Sequence, residues 1–274
     1  MSALEETLFS KWEINPAKTI GMIFDVDELL FDNKEEIFLA YQSLLSSRNI
    51  SLRENENFPG KNLFDILSIM KEQYSISESI ELLVQERRNK YIELLNNSQP
   101  KVKEGVKEIF CFLEQHRNIL DIRTAYTSSS EKIFIDIILK RIFQHCQLNK
   151  YIDNADVFFY KNSTNLFAST CWQEGLEKKP SPMLYKETLK KIGLSAKQCI
   201  AFEDSRSGIE AALGAGLGVI FVPSSEKEMS IDLDKYFSGS KKICKTKSLL
   251  DFLPVLSLLI NRIKKGDLWK SKLK

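Results

Sequence analysis

The run Met22-Ile23-Phe24-Asp25-Val26-Asp27-Glu28-Leu29-Leu30-Phe31-Asp32 constrains this chain more than any other stretch. An apolar segment breaks off into two aspartates one residue apart. Apolar runs of this kind read as buried strands of a parallel sheet, covered by helices on both faces. Ligands in such sheets gather just beyond the carboxyl ends of the strands. Asp25 and Asp27 therefore stand at that edge. Residues two apart share a strand face, so both side chains point the same way if the strand continues. Carboxylates held together repel each other, which favours a shared proton or a bound cation. A strand-end cap or turn would use the same two residues.

The chain has 274 residues and is 43% hydrophobic, enough for one large domain or a core with a smaller insertion. Its net charge is +2, with lysines and arginines scattered rather than clustered, which excludes a nucleic-acid footprint. Cys111, Cys146, Cys171, Cys199 and Cys244 are far apart and form no metal-binding spacing. They read as reduced thiols in a cytoplasmic protein. His116 and His145 are the only histidines, so a Ser-His or Cys-His mechanism is disfavoured. The first residues lack the basic and apolar regions of a secretory signal. The apolar run Phe252 to Ile260 is too short to span a bilayer.

Along the chain, a strand is expected over Thr19–Asp25. Helical spacing follows from Asn33 to Asn97, with Ile37, Tyr41, Leu44 and Leu45, then Leu63, Ile66, Leu67 and Met70, then Leu83, Arg87, Tyr91 and Leu95. After Asn96-Asn97-Ser98-Gln99-Pro100, helices and strands alternate. The helices are expected over Val106–Gln115, Ser130–Phe143, Ser181–Lys191 and Gly208–Gly214. The strands are expected over Leu120–Tyr126, Asp156–Phe159, Cys199–Phe202 and Gly218–Val222. Tyr160–Gly175 reads as a polar, irregular insertion. The alternation argues an α/β fold with a doubly wound parallel sheet and an inserted all-helical domain. The expected division is a discontinuous core of 18–32 and 98–250, a helical insert of 33–97, and a C-terminal helix with a basic tail over 251–274.

Three further signals fall at expected strand ends. Thr127-Ser128-Ser129-Ser130 offers hydroxyls and amides at a strand-to-helix turn, suited either to a phosphate or to an ordinary helix cap. Lys178-Lys179-Pro180 would fix a lysine at a helix start, or place solvated lysines in a turn. Phe202-Glu203-Asp204-Ser205-Arg206-Ser207-Gly208 ends a second apolar strand in two acids, which could join Asp25 and Asp27 in an oxygen cage for Mg²⁺ or cap a helix.

The order of these signals, and their common position at strand ends, resembles the haloacid dehalogenase superfamily over about residues 19–250. The likeness is most specific at Phe24-Asp25-Val26-Asp27 and at Phe202-Glu203-Asp204-Ser205-Arg206-Ser207-Gly208-Ile209-Glu210-Ala211-Ala212. It is closest to the subgroup of β-phosphoglucomutases and sugar-phosphate phosphatases, whose helical cap follows the first strand. The resemblance implies a Rossmann-like core and a phosphatase acting on a small phosphorylated metabolite through an aspartyl-phosphate. It implies Asp25 as nucleophile and Asp27 as general acid and base. Thr127, the Ser128 amide and Lys179 would hold the phosphoryl group. Mg²⁺ would sit among Asp25, the Asp27 carbonyl, Glu203 and Asp204. Lys61 and Asn62, in the loop around Pro59-Gly60, would touch the far end of the substrate. The partner expected is a small phosphoester, with no nucleic acid, no membrane span and a monomeric state.

Two departures from the subgroup's pattern stand out. Glu28 replaces a glycine after the second aspartate. If that turn needs a positive φ, Glu there costs on the order of 1 kcal/mol. Ile37 stands where the mutases have a cap histidine, and Leu63 where they have a substrate-loop arginine. This disfavours a hexose phosphomutase, while Glu28 leaves a non-catalytic binding protein as the other alternative.

Overall fold

The computed structural model describes residues 19–51, 63–116, 122–148, 168–172, 175–237, 240 and 242–264. They fall into two compact units, one of residues up to Asp32 together with those from Pro100 onward, the other Asn33–Gln99.

The first unit is built on β1 (Ile20–Phe24), β2 (Ile122–Glu131), β3 (Ala168–Trp172), β4 (Cys199–Glu203), β5 (Gly218–Phe221) and β6 (Ile243–Lys245). They form a six-stranded sheet in the order β3-β2-β1-β4-β5-β6. Every pairing is parallel. β1 and β4 are buried along their whole length, as the unbroken apolar runs require. Alternation along these strands sorts the core into two layers. Phe24 stacks on Phe202 at 4.6 Å and meets Phe110 edge-on at 6.0 Å, while Phe202 meets Phe252 at 5.0 Å. On the opposite face, Ile23, Ala125 and Ala201 pack with Tyr185, Leu189 and Ile209.

The flanking helices of this unit follow the α/β alternation. In this unit lie Val106–His116, Lys132–His145, Met183–Ile192, Arg206–Gly214 and Leu253–Lys264, with short turns at Glu226–Met229 and Leu233–Tyr236. The C-terminal helix buries Val255, Leu256 and Ile260, preceded by Leu249 and Phe252, while Leu250 is exposed. Residues 265–274 lie outside the described residues.

Three details differ from the sequence expectation. Ser128–Ser130 are not a helix cap: β2 runs on to Glu131 and the helix starts at Lys132. The reason is β3, whose Thr170 and Cys171 pair with Thr127 and Ser128 before the register shifts at Glu131. β3 itself lies inside the segment read as an irregular insertion, because Ser169 and Thr170 lack the apolar signature of a buried strand. β6, pairing with β5 through Cys244, was not expected, being three residues long. The strand expected at Asp156–Phe159 lies outside the described residues.

The second unit contains helices Lys34–Ser46, Leu63–Gln73 and Ile80–Asn97. Tyr41, Leu44, Leu45, Ile66, Leu67, Met70 and Leu83 make its core, with Ile37 and Leu63 packed against it. Ser79 caps the longest helix by accepting from the Leu82 amide. Arg87 is buried between two rings, 4.7 Å from the Tyr41 centroid and 4.5 Å from that of Tyr91. The Asn33 amide donates to the Tyr91 hydroxyl at 2.8 Å.

Candidate active site

Strand register brings the sequence signals to one place. Phe24 pairs with Tyr126 on one side and with Phe202 on the other. The next residues along these three strands are Asp25, Thr127 and Glu203, which therefore leave the sheet edge at one level. The Asp25 amide donates to the Phe202 carbonyl at 3.0 Å, extending the ladder one step. Because side chains alternate, all three point to the face covered by the helix Met183–Ile192.

Lys179 enters at that face, four residues before the helix begins. Its Nζ donates to Asp25 Oδ1 at 2.5 Å, to Glu203 Oε1 at 2.6 Å and to the Thr127 carbonyl at 2.9 Å. Its own amide is held by Ser129 Oγ at 3.2 Å. Only 5% of the Lys179 side chain is exposed, so this ion pair is formed away from water. Burial opposes the ammonium charge, but Asp25 and Glu203 outweigh it and hold Lys179 above its usual range.

Glu203 is fully buried. Oε1 accepts from Lys179 and from the Tyr185 hydroxyl. Oε2 is buried without a hydrogen-bond partner among the described residues. It rests against Gly208, where an added Cβ would lie 1.8 Å from it. That glycine opens the helix Arg206–Gly214, whose cap Ser205 accepts from the Gly208 amide at 3.2 Å. A side chain at position 208 would displace the Glu203 carboxylate.

Asp25, Glu203 and Asp204 bring carboxylate oxygens within 4.8 Å of one another. One ammonium faces three carboxylates. Burial pushes the Asp25 carboxyl well above its ordinary range; Lys179 opposes this, while Glu203, Asp204 and Asp27 add to it. Asp204 is pushed up to about 7, first by burial, then by Glu203 and Glu28, against a hydrogen bond from Ser224 and the charge of Lys179. Excess buried negative charge and an orphaned carboxylate oxygen fit a hard divalent cation.

Asp27 is arranged differently. Its Oδ2 accepts from Ser128 Oγ at 2.7 Å, and its carboxylate is not among the clustered three. Thr127 also departs from the expected role. Its hydroxyl meets that of Thr188 at 2.8 Å, inside the core, so its carbonyl rather than its hydroxyl serves the site. The strand continuing through 127–131 explains this, since neighbours then face opposite sides. Ser128 accordingly presents its hydroxyl to Asp27, a partner that the phosphate-binding expectation did not include.

Glu28 has φ 65°, a left-handed conformation. It lines a cavity of about 510 Å³ together with Lys101, Lys103 and Lys247. Lys61 and Asn62 lie outside the described residues. Tyr185, Thr188 and Gly208 were missed as site-supporting residues. A tyrosine buried in a helix needs a partner for its hydroxyl, which was the available signal for Tyr185. The motif containing Gly208 does not by itself identify the carboxylate that needs the space.

The chain resembles known proteins in sequence and in fold. The family model of haloacid dehalogenase-like hydrolases matches residues 21–216. The chain is 27% identical over 138 residues to Protein CbbY of Rhodobacter capsulatus, a match covering 50% of this chain and 52% of that protein. It therefore spans about half the length of that relative. It is 27% identical over 207 residues to the phosphorylated carbohydrates phosphatase of Thermotoga maritima, covering 73% of this chain and 83% of that protein. The crystal structure of CbbY from Rhodobacter sphaeroides in complex with phosphate superposes with a TM-score of 0.59 at 17% identity, covering 86% of this chain and 96% of that one. That likeness speaks for the fold. Among the described residues, no helix is long and apolar enough to cross a membrane.

Proposed function

The chain belongs to the haloacid dehalogenase-like hydrolase family, and we propose that it is a Mg²⁺-dependent phosphatase of small phosphorylated metabolites, sugar phosphates above all. The observation that carries this reading is Asp25 held by Lys179 within a buried group of three carboxylates. The name of the Thermotoga relative supports the phosphorylated-carbohydrate class.

In this reading Asp25 is the nucleophile. Lys179 occupies its Oδ1 and leaves the other oxygen for attack on phosphorus, which expels the substrate's leaving oxygen and gives an aspartyl-phosphate. Ser128 Oγ donates to Oδ2 of Asp27 and orients that carboxyl, which in this reading carries a proton. Asp27 gives that proton to the leaving oxygen. It then takes one from the water that attacks the aspartyl-phosphate, which frees inorganic phosphate and Asp25. Asp25, the Asp27 carbonyl, Glu203 and Asp204 would hold Mg²⁺, which when bound would offset the negative charge of nucleophile and phosphate. The Lys179 ammonium and the Ser128 amide steady the phosphoryl group. We take it to act as a monomer in the cytoplasm, where thiols such as its five free cysteines stay reduced.

Phosphate release from a panel of phosphoesters, with and without Mg²⁺, tests this for the wild type and Asp25→Asn. Mg²⁺-dependent release that falls by about 10⁴-fold or more in the variant is the expected result. Isomerisation without net release, dependent on a bisphosphate, would replace it with a mutase. Silence across the panel from a folded protein would reject catalysis.

A further inference from the structure

Tyr185 is wholly buried and lies one turn into the helix that follows Lys179. Its hydroxyl donates to Glu203 Oε1. Lys179 Nζ donates to the same oxygen at 2.6 Å and lies 5.2 Å from the centre of the tyrosine ring. The two donors are not equivalent. Lys179 is shared among Glu203, Asp25 and the Thr127 carbonyl, so its position is a compromise among three acceptors. Among the described residues, the Tyr185 hydroxyl serves Glu203 alone. On the other side, Gly208 leaves just enough room for Oε2, which has no donor among the described residues. The carboxylate is thus pinned at one oxygen by a tyrosine and left with the other uncompensated.

We propose that Tyr185 is a positioning residue for the divalent-cation site: its hydroxyl fixes the Glu203 carboxylate in the orientation that lets it join Asp25 and Asp204 around the ion. This rests on the reading of that cluster as a cation site. A phenylalanine at 185 keeps the ring packed in the core but removes the donor. Glu203 then holds one dedicated partner fewer and must be ordered by the ion itself, which weakens binding. A role confined to packing would leave ion affinity unchanged, because the ring remains.

The test is titration of Mg²⁺, and of Mn²⁺ followed by its paramagnetic resonance signal, into metal-free protein without substrate. Wild type, Tyr185→Phe, Glu203→Gln and the double variant are compared, with circular dichroism to verify the fold. Tyr185→Phe is expected to bind either ion about tenfold more weakly, the loss of one hydrogen bond to a charged group. In the Glu203→Gln background the same change should alter affinity by less than about twofold, since the tyrosine acts through that carboxylate. Equal affinity of wild type and Tyr185→Phe overturns the proposal and leaves the phosphatase reading intact. A tenfold loss that persists beside Glu203→Gln overturns it as well, because the effect would not run through Glu203. A wild type that binds neither ion overturns the cation site itself, and this proposal with it.

Discussion

Ser128 and Asp27 are 101 residues apart in the chain, yet the serine hydroxyl donates to Asp27 Oδ2 at 2.7 Å. Asp25 and Asp27 follow the same strand, but their surroundings differ. Asp25 is tied to an ammonium among other carboxylates. Asp27 is tied to a neutral hydroxyl and stands apart from that cluster.

Replacing Ser128 by alanine removes this restraint while keeping the backbone amide. Asp27 then loses its fixed orientation rather than its chemistry. The expected result is a fall in kcat of about tenfold with KM changed little, the value of one hydrogen bond to a charged group. Steady-state kinetics on the best substrate of the panel checks it. A rise in KM at constant kcat would assign Ser128 to substrate binding instead.

Lys179→Met should be far more damaging. The variant leaves Asp25 and Glu203 buried without their cation, a change that typically costs about 3–5 kcal/mol. Urea unfolding of the metal-free protein at pH 8 measures this. The deficit should shrink at pH 5, where the raised Asp25 and Asp204 carboxyls take up protons and shed the repulsion. Phosphatase activity should fall by about 10²–10³-fold at both pH values, the usual loss when one charge-stabilising donor goes.

The legible parts of this molecule are those whose signal is local. β1 and β4 could be read because each is a continuous apolar run ending in acids, and the paired Phe24 and Phe202 were both inside those runs. The helical insert could be read from its spacing, and the acids at 203 and 204 from their place after a strand. What escaped depends on partners distant in sequence. Ser128 and Ser129 look like a helix cap until β3, whose own residues look like a loop, pairs with them. The direction of the Thr127 hydroxyl follows from that pairing, because only a continuing strand sends 127 and 128 to opposite faces. Tyr185 and Gly208 matter through a carboxylate on another strand, and no spacing rule links them to it.

Glu28 carries strain that glycine would not. Its φ of 65° costs an L-residue about 1 kcal/mol. Glu28→Gly is therefore expected to raise stability by up to about 1 kcal/mol, less whatever entropy glycine adds to the unfolded chain. Its charge also helps to raise Asp204. The same variant should thus need more Mg²⁺ for half-maximal activity, because a neighbouring negative charge favours a divalent ion more than it favours the competing proton. Thermal melting and a Mg²⁺ titration of activity separate the two effects. A loss of activity at saturating Mg²⁺ would mark Glu28 as a contributor to the reaction instead.

The acidity of Asp204 makes a prediction about the metal-free protein. Its folded value of about 7 lies above the ordinary carboxylate range, the reverse of a salt-bridged aspartate. Between about pH 4 and pH 7 the native state holds a proton that the unfolded chain has released, so stability falls as pH rises through this window and levels off above it. Asp25, also raised, acts in the same direction. Lys179 is raised too, but its contribution is complete below the usual lysine range and is lost only at more alkaline pH. The melting temperature of metal-free protein should therefore be higher at pH 5.5 than at pH 8. Mg²⁺ competes with those protons, so the melting shift it produces should be larger at pH 8 than at pH 5.5. Calorimetric scans at both pH values, with and without Mg²⁺, measure all four temperatures. A Mg²⁺ shift independent of pH would mean either that Asp204 is ionised throughout or that the ion binds elsewhere.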